Sequence, residues 1–322
     1  MMKYLKLIRL PNLLIVALVM YTMRFCIIQP LLQFKYSIIL KHSFTFQFSN
    51  FDFFLYVLSM VFLAAAGYVI NDYFDRRIDL INRPDSVVVG KSIDRRYAMA
   101  LHTVLNFFAI VISIYLSYKT HIYFVAFEYF IITGLFWFYS TTYKRQFIIG
   151  NILVSLMTAL ATLQVVFFDL ILLNRHYAQV LNQYHTNFYL ILTWILCFAF
   201  FAFITNLIRE IVKDCEDYDG DKSCKRKTIP IVWGQKTAKL IVVILSAITS
   251  AALIYLYIVY LNDTITFWYF LITLLIPLFY MVLKTIKAQN KKDYHFISQF
   301  IKLIMFAGIM YSCVARYILI NL

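Results

Sequence analysis

Charge is what this 322-residue chain has least of: 14% of its residues are Asp, Glu, Lys or Arg, against 62% that are hydrophobic. A water-soluble globule could not cover so much apolar surface. Apolar runs of about 20 residues recur from end to end, the length that crosses a bilayer as a helix. Glycine and proline are also scarce, at seven and five, and no Gly/Ser-rich or low-complexity stretch divides the chain. One membrane domain over 1–322 is therefore expected. The five cysteines are odd in number, and Cys215 and Cys224, which share a loop, have no partner histidine. That pattern excludes a disulfide framework or a zinc knuckle. The six histidines fall into no metal-ligating constellation either.

What is present is an excess of positive charge, +14. Nucleic-acid binding needs such charge gathered on a soluble face, and here no separate basic domain exists to carry it, so a nucleic-acid partner is not expected. The cations sit instead between apolar spans. Nine spans are read, over about 11–33, 52–74, 97–118, 121–140, 147–173, 186–209, 238–261, 265–284 and 296–320. The predicted class is all-α, a polytopic bundle of nine transmembrane helices. The first run is long and follows a basic start with Pro11, so it is expected to be a true span rather than a cleaved leader.

Cation placement predicts orientation. Of the 30 Lys and Arg, three lie inside spans (Arg24, Lys302 and Arg316) and four in odd-numbered loops (Lys35, Lys41, Lys119 and Arg175), leaving 23 at the N-terminus and in even-numbered loops. By the positive-inside rule the N-terminus and even loops are cytoplasmic, and an odd span count puts the C-terminus outside.

Two acidic clusters stand out from only 16 acidic residues. The first is Asn71-Asp72-Tyr73-Phe74-Asp75-Arg76-Arg77-Ile78-Asp79, after span two. The second is Lys213-Asp214-Cys215-Glu216-Asp217-Tyr218-Asp219-Gly220-Asp221, after span six. Both are expected on the same side of the membrane. Asn71, Asp75 and Asp79 share one helical face, and Asp214, Asp217 and Asp221 share another. Two carboxylate faces alone would repel and raise each other's pKa. Divalent cations between them remove the conflict, and Mg²⁺ favours a few carboxylates, waters and substrate phosphate oxygens. Solvated charges at helix ends would explain either cluster alone; the regular pair on one side points to a Mg²⁺–diphosphate site.

The first cluster runs on into Ile81-Asn82-Arg83-Pro84, and the second is followed by Thr228-Ile229-Pro230. With Arg9-x-x-Asn12 and Tyr139-Ser140 leading to Lys144, these resemble the paired signatures of UbiA-type intramembrane prenyltransferases, over about residues 5–235. Three features depart from the family pattern: Ser86-Val87-Val88-Val89-Gly90 replaces the usual continuation, Lys225 stands where a small glycine is common, and Lys144 follows Tyr139 by five residues, which is not always the family spacing. The last three spans contribute only hydrophobicity. The resemblance implies helices around a lipid-accessible central cavity, with Asn71, Asp75, Asp79, Asp217 and Asp221 binding Mg²⁺ and an isoprenyl diphosphate. Asp72 and Asp214 are implied as close support, and Asn12 as a substrate contact.

Loss of diphosphate from a prenyl diphosphate leaves an allylic carbocation that a nucleophile traps. Cations and Mg²⁺ stabilise the departing charge, and Arg83, Lys91, Lys144, Lys213 and Lys222 are the candidates for that role. Each could equally be an ordinary positive-inside charge. An aromatic face can steady a cation, and Tyr139 is singled out, although most aromatics here are packing residues. The Ile78-to-Pro84 continuation is similar to the subgroup that alkylates geranylgeranylglyceryl phosphate, so such a lipophilic acceptor is expected, with an aromatic quinone precursor as the alternative. A cation transporter would place its carboxylates near the midplane, and a lipid-binding scaffold would not need intact motifs. Both remain readings from another class.

Overall fold

The computed structural model describes residues 2–321. Among them, nine helices are long and apolar enough to cross a membrane. They are α1 (Leu10–Leu40), α2 (Asn50–Asn82), α3 (Arg95–Thr120), α4 (Tyr123–Arg145), α5 (Ile149–His176), α6 (Tyr189–Glu216), α7 (Gln235–Leu261), α8 (Thr264–Lys287) and α9 (Lys291–Asn321). Every predicted span is found. The main differences are at the polar ends: α2 continues from the predicted 74 to Asn82, and α6 from 209 to Glu216. A hydropathy reading stops where charge begins, whereas the backbone stays helical because its hydrogen bonds do not depend on side-chain polarity.

Small residues let the first helices approach closely. Ala65, Ala66 and Gly67 of α2 are matched by Ala98, Ala109 and Ser113 on the buried face of α3. A methyl group at Gly67 would stand 2.9 Å from the Phe136 ring of α4. The opposite face of α3 carries Phe107, Val111, Ile114 and Tyr118, all exposed, as a lipid-facing surface requires. Helix α6 packs against α5, α7 and α9 and closes the bundle.

A second polar feature lies far from the acidic motifs. Arg24 of α1 and Asp169 of α5 are fully buried, 3.6 Å apart. The Arg24 guanidinium also lies over the rings of Phe46 and Phe53, at 4.4 and 4.2 Å, and donates to the Phe48 carbonyl. Removing one member of such a pair leaves the other charge buried, so the pair ties α1, α5 and the 41–49 connection together.

Candidate active site

Helix α2 carries Asn71, Asp75 and Asp79 on one face, as the spacing predicts. The second motif differs from prediction. Helix α6 ends at Glu216, Asp217 sits at the break, and a separate short helix spans Tyr218–Ser223. Asp214, Asp217 and Asp221 are therefore not on one continuous helix, yet all three line the same chamber. Gly220 makes this possible. Its backbone N–H donates to Asn82 Oδ1 at 3.1 Å, and an added Cβ would lie 2.2 Å from that oxygen. A side chain there would have to displace the Asn82 carboxamide and break this hydrogen bond, so this glycine allows the second motif to seat on the last turn of α2.

Cations interleave the carboxylates. Lys144 Nζ lies 2.7 Å from Asp75 and donates to Asn71 Oδ1 at 3.1 Å. Arg226 pairs with Asp75 and reaches Asp221 at 3.4 Å, joining the two motifs through one guanidinium. Arg83 donates to both Asp217 oxygens, at 3.0 and 3.1 Å, and lies 3.1 Å from Glu216. Arg9 holds Asp72 at 2.7 Å, and Asn151 holds Asp214 at 2.8 Å. Among the described residues Asp79 makes no ion pair, although it lies within interaction range of Asp75, Asp72, Arg9 and Asp217. Burial pushes the Asp221 carboxyl up to about 7, with Asp217 and Asp75 adding to the rise and Arg226 opposing it. Burial likewise raises Asp217 against the pull of Arg83.

Two cavities meet here. The polar chamber has a volume of about 330 Å³ and holds the motif carboxylates. An apolar cavity of about 380 Å³ extends into the bundle between residues such as Met60, Phe136, Phe198, Phe270, Leu274 and Tyr311. Arg9, Asn12, Asn71, Tyr139, Lys213 and Lys302 line both. The junction thus places aromatic and apolar walls directly beside clustered charge.

The donor set suits a hard divalent cation. Asp75, Asp79, Asp217, Asp221 and Asn71 offer only oxygen ligands, as Mg²⁺ prefers. Among the described residues Asp79 has no cation at ion-pair distance, with Arg9 and Lys144 acting on it from farther off, and the raised Asp221 is one that a metal would hold ionised. Among the described residues no three acidic, His or Cys side chains approach closely enough to hold a metal by themselves. That spacing leaves room for the waters and phosphate oxygens that Mg²⁺ retains.

The chamber gathers the predicted Asn12, Asn71, Asp72, Asp75, Asp79, Arg83, Tyr139, Lys144, Lys213, Asp214, Asp217 and Asp221. Two predicted cations lie outside it. Lys91 is exposed and donates to the Pro84 carbonyl at 2.6 Å. Lys222 is exposed over the Tyr218 ring, 5.8 Å from its centroid. Both sit on polar segments turned to the aqueous side, where an ammonium keeps its hydration. Arg226 instead turns inward, a role that its place in the run Lys225-Arg226-Lys227 concealed. Lys225 adopts a left-handed φ of 56°, the conformation a glycine takes without penalty. It caps the short helix, with the Arg226 amide bonded to the Asp221 carbonyl at 2.9 Å. Arg209, Glu210 and Lys302 also line the chamber. Glu210 extends the carboxylate series one turn into the membrane from Asp214. Lys302 corrects the expectation that the last spans are merely hydrophobic.

Among the described residues, nine apolar helices enclosing an apolar cavity, capped by carboxylates and cations suited to a metal–diphosphate, define an intramembrane prenyltransferase. The chain belongs to the UbiA prenyltransferase family, whose profile matches residues 38–306. It is 29% identical over 256 residues to digeranylgeranylglyceryl phosphate synthase of Methanosphaera stadtmanae, covering 79% of this chain and 84% of that protein. A solved structure of a digeranylgeranylglyceryl phosphate synthase superimposes with a TM-score of 0.60 at 23% identity, covering 98% of this chain and 97% of the other. A UbiA homologue from Archaeoglobus fulgidus, bound to DMAPP and Mg²⁺, gives 0.56 at 18% identity, over 95% and 99% of the two chains.

Proposed function

We propose that this enzyme transfers a geranylgeranyl group from its diphosphate to the free hydroxyl of geranylgeranylglyceryl phosphate, with Mg²⁺ as cofactor. The observation that carries the reading is the junction of the apolar cavity with the charged chamber. A prenyl chain fits the first while its diphosphate sits in the second. The synthases similar to this chain, and the homologue bound to DMAPP and Mg²⁺, support the choice of acceptor and metal.

Asp75, Asp79, Asp217 and Asp221, with Asn71, are the ligands proposed for Mg²⁺. The metal, when bound, neutralises negative charge on the diphosphate and so improves it as a leaving group. Lys144 and Arg226, already between the motifs, take up charge as the carbon–oxygen bond to diphosphate breaks. Tyr139 lines both cavities and presents its ring where the allylic cation forms. The apolar walls keep water from that cation. The acceptor hydroxyl then forms the new carbon–oxygen bond and loses its proton to the departing diphosphate.

The test offers geranylgeranylglyceryl phosphate and a hydroxybenzoate with the same geranylgeranyl diphosphate and compares kcat/KM. The glyceryl phosphate is expected to win. A tenfold preference for the aromatic acceptor, about 1.4 kcal/mol, overturns the acceptor and leaves the reaction class standing.

The proposed orientation puts the N-terminus, the chamber and its loops in the cytoplasm. Cys224 is exposed beside the second motif and serves as a native reporter, together with Ser86→Cys. Both are expected to react with an impermeant thiol reagent only after the cytoplasmic face is opened. Labelling of either from outside intact cells contradicts the orientation.

A further inference from the structure

Lys302 is hard to explain as a structural residue. It lies roughly 16 Å into α9, followed by the apolar run 303–310, and faces the junction of the two cavities. Lysine within a span is costly unless paired. Among the described residues its ammonium makes neither an ion pair nor a hydrogen bond, and the charged groups that act on it most strongly are Arg209, Lys213, Arg9 and Arg83, all cations. Arg209 has the same character in part: one face bonds Glu210 at 2.7 Å, while its Nε is buried without a partner. Lys213 shares that single carboxylate, at 3.0 Å.

We infer that Lys302, Arg209 and Lys213 form a second anion subsite, distinct from the metal–diphosphate site, that takes the phosphomonoester of the acceptor lipid. The inference rests on the acceptor reading above. At the junction, among the described residues, Arg9, Arg209, Lys213 and Lys302 meet only Asp72 and Glu210 at ion-pair distance, while Asp79 and the second motif act on Arg9 and Lys213 from farther off. Four cations against two carboxylates leave an excess of two positive charges, and a phosphate monoester carries about −1.5 to −2 at neutral pH. The metal–diphosphate half is built oppositely, with Asp75, Asp79, Asp217 and Asp221 still outnumbering Lys144, Arg226 and Arg83. A diphosphate arriving with divalent cations suits the acid-rich half. A phosphomonoester arriving without metal suits the half where cations outnumber acids. The subsite borders the apolar cavity, so an acceptor held there by its headgroup can extend its own chain between the helices.

The test uses the full-length protein in phosphate-free detergent with two acceptors, geranylgeranylglyceryl phosphate and the same lipid lacking its phosphate. Wild type is expected to favour the phosphorylated lipid by tenfold or more in KM. Lys302→Met is expected to raise KM for that lipid at least tenfold, bring the two acceptors close together, and leave KM for geranylgeranyl diphosphate unchanged. Lys302→Arg is expected to keep the preference, and Lys302→Gln repeats the test if the methionine variant does not fold. Binding of the phosphorylated lipid in EDTA is expected to weaken in parallel, which a role in the metal site would not produce. If wild type favours the phosphorylated lipid and Lys302→Met retains that preference, the subsite is wrong while the function stands. A raised KM for the diphosphate instead assigns Lys302 to the donor and overturns the inference. If wild type alkylates neither glycerol lipid but alkylates an aromatic acceptor, it is the acceptor reading that fails.

Discussion

Asp75→Asn will lower turnover by about 10²-fold or more, because it removes charge stabilisation from the departing diphosphate at the centre of the site. The substitution keeps the shape of the side chain and deletes only its charge. Asp75 is buried and takes both Lys144 and Arg226. The sequence alone argues that removing one of several crowded carboxylates relieves repulsion and spares folding. The ion pairs reverse that expectation. Without the Asp75 charge, two largely buried cations face each other with Asp221 as the remaining anion near Arg226. Loss of one partner from a buried pair costs about 3–5 kcal/mol, and the opening toward the chamber reduces that here. Thermal stability should therefore fall along with activity. Diphosphate-release kinetics and a melting curve on the same preparation check both. Near-normal Mg²⁺-dependent turnover would remove Asp75 from the site.

Arg226→Gln should have an effect of similar size for a different reason. Among the described residues its guanidinium is the one side chain that contacts carboxylates of both motifs, Asp75 on α2 and Asp221 on the short helix. A planar fork can serve two acceptors at once, and its charge persists at any working pH. Glutamine leaves Asp75 and Asp221 with less compensation and withdraws a cation from the leaving group, so kcat should fall about 10²-fold. Arg226→Lys should recover part of it, since charge returns without the fork. Comparison of kcat and KM for the diphosphate across the three proteins measures this. An unchanged kcat in Arg226→Gln would make Arg226 a surface cation after all.

The contrast between these residues shows what the sequence made legible. Asp75 could be found because regular spacing from Asn71 to Asp79 survives translation into a helix without loss. Helix α2 obeys it for its whole length, past the end of its apolar stretch. Arg226 could not be found that way. In the run Lys225-Arg226-Lys227 all three residues read as solvated charge, and only the left-handed turn at Lys225 turns one inward. The break at Asp217 was hidden as well, because neither glycine nor proline lies between Lys213 and Asp219. The replacement of a common glycine by Lys225 was visible, and its consequence was not: the position still adopts the conformation that glycine favours. Lys302 carried a signal in plain view, a cation inside a membrane span. Its meaning needed the fold, which brings α9 beside α6 and turns Lys302 toward Arg209 and Lys213.

The central claim is prenyl transfer driven by a metal-held diphosphate at this junction. The most direct measurement incubates purified enzyme with labelled geranylgeranyl diphosphate and geranylgeranylglyceryl phosphate, and follows ether product and released diphosphate together. The account predicts equal amounts of both, abolished by EDTA and restored by excess Mg²⁺. Transfer that persists through chelation, or Mg²⁺-replete enzyme that releases no diphosphate with either acceptor class, would contradict it.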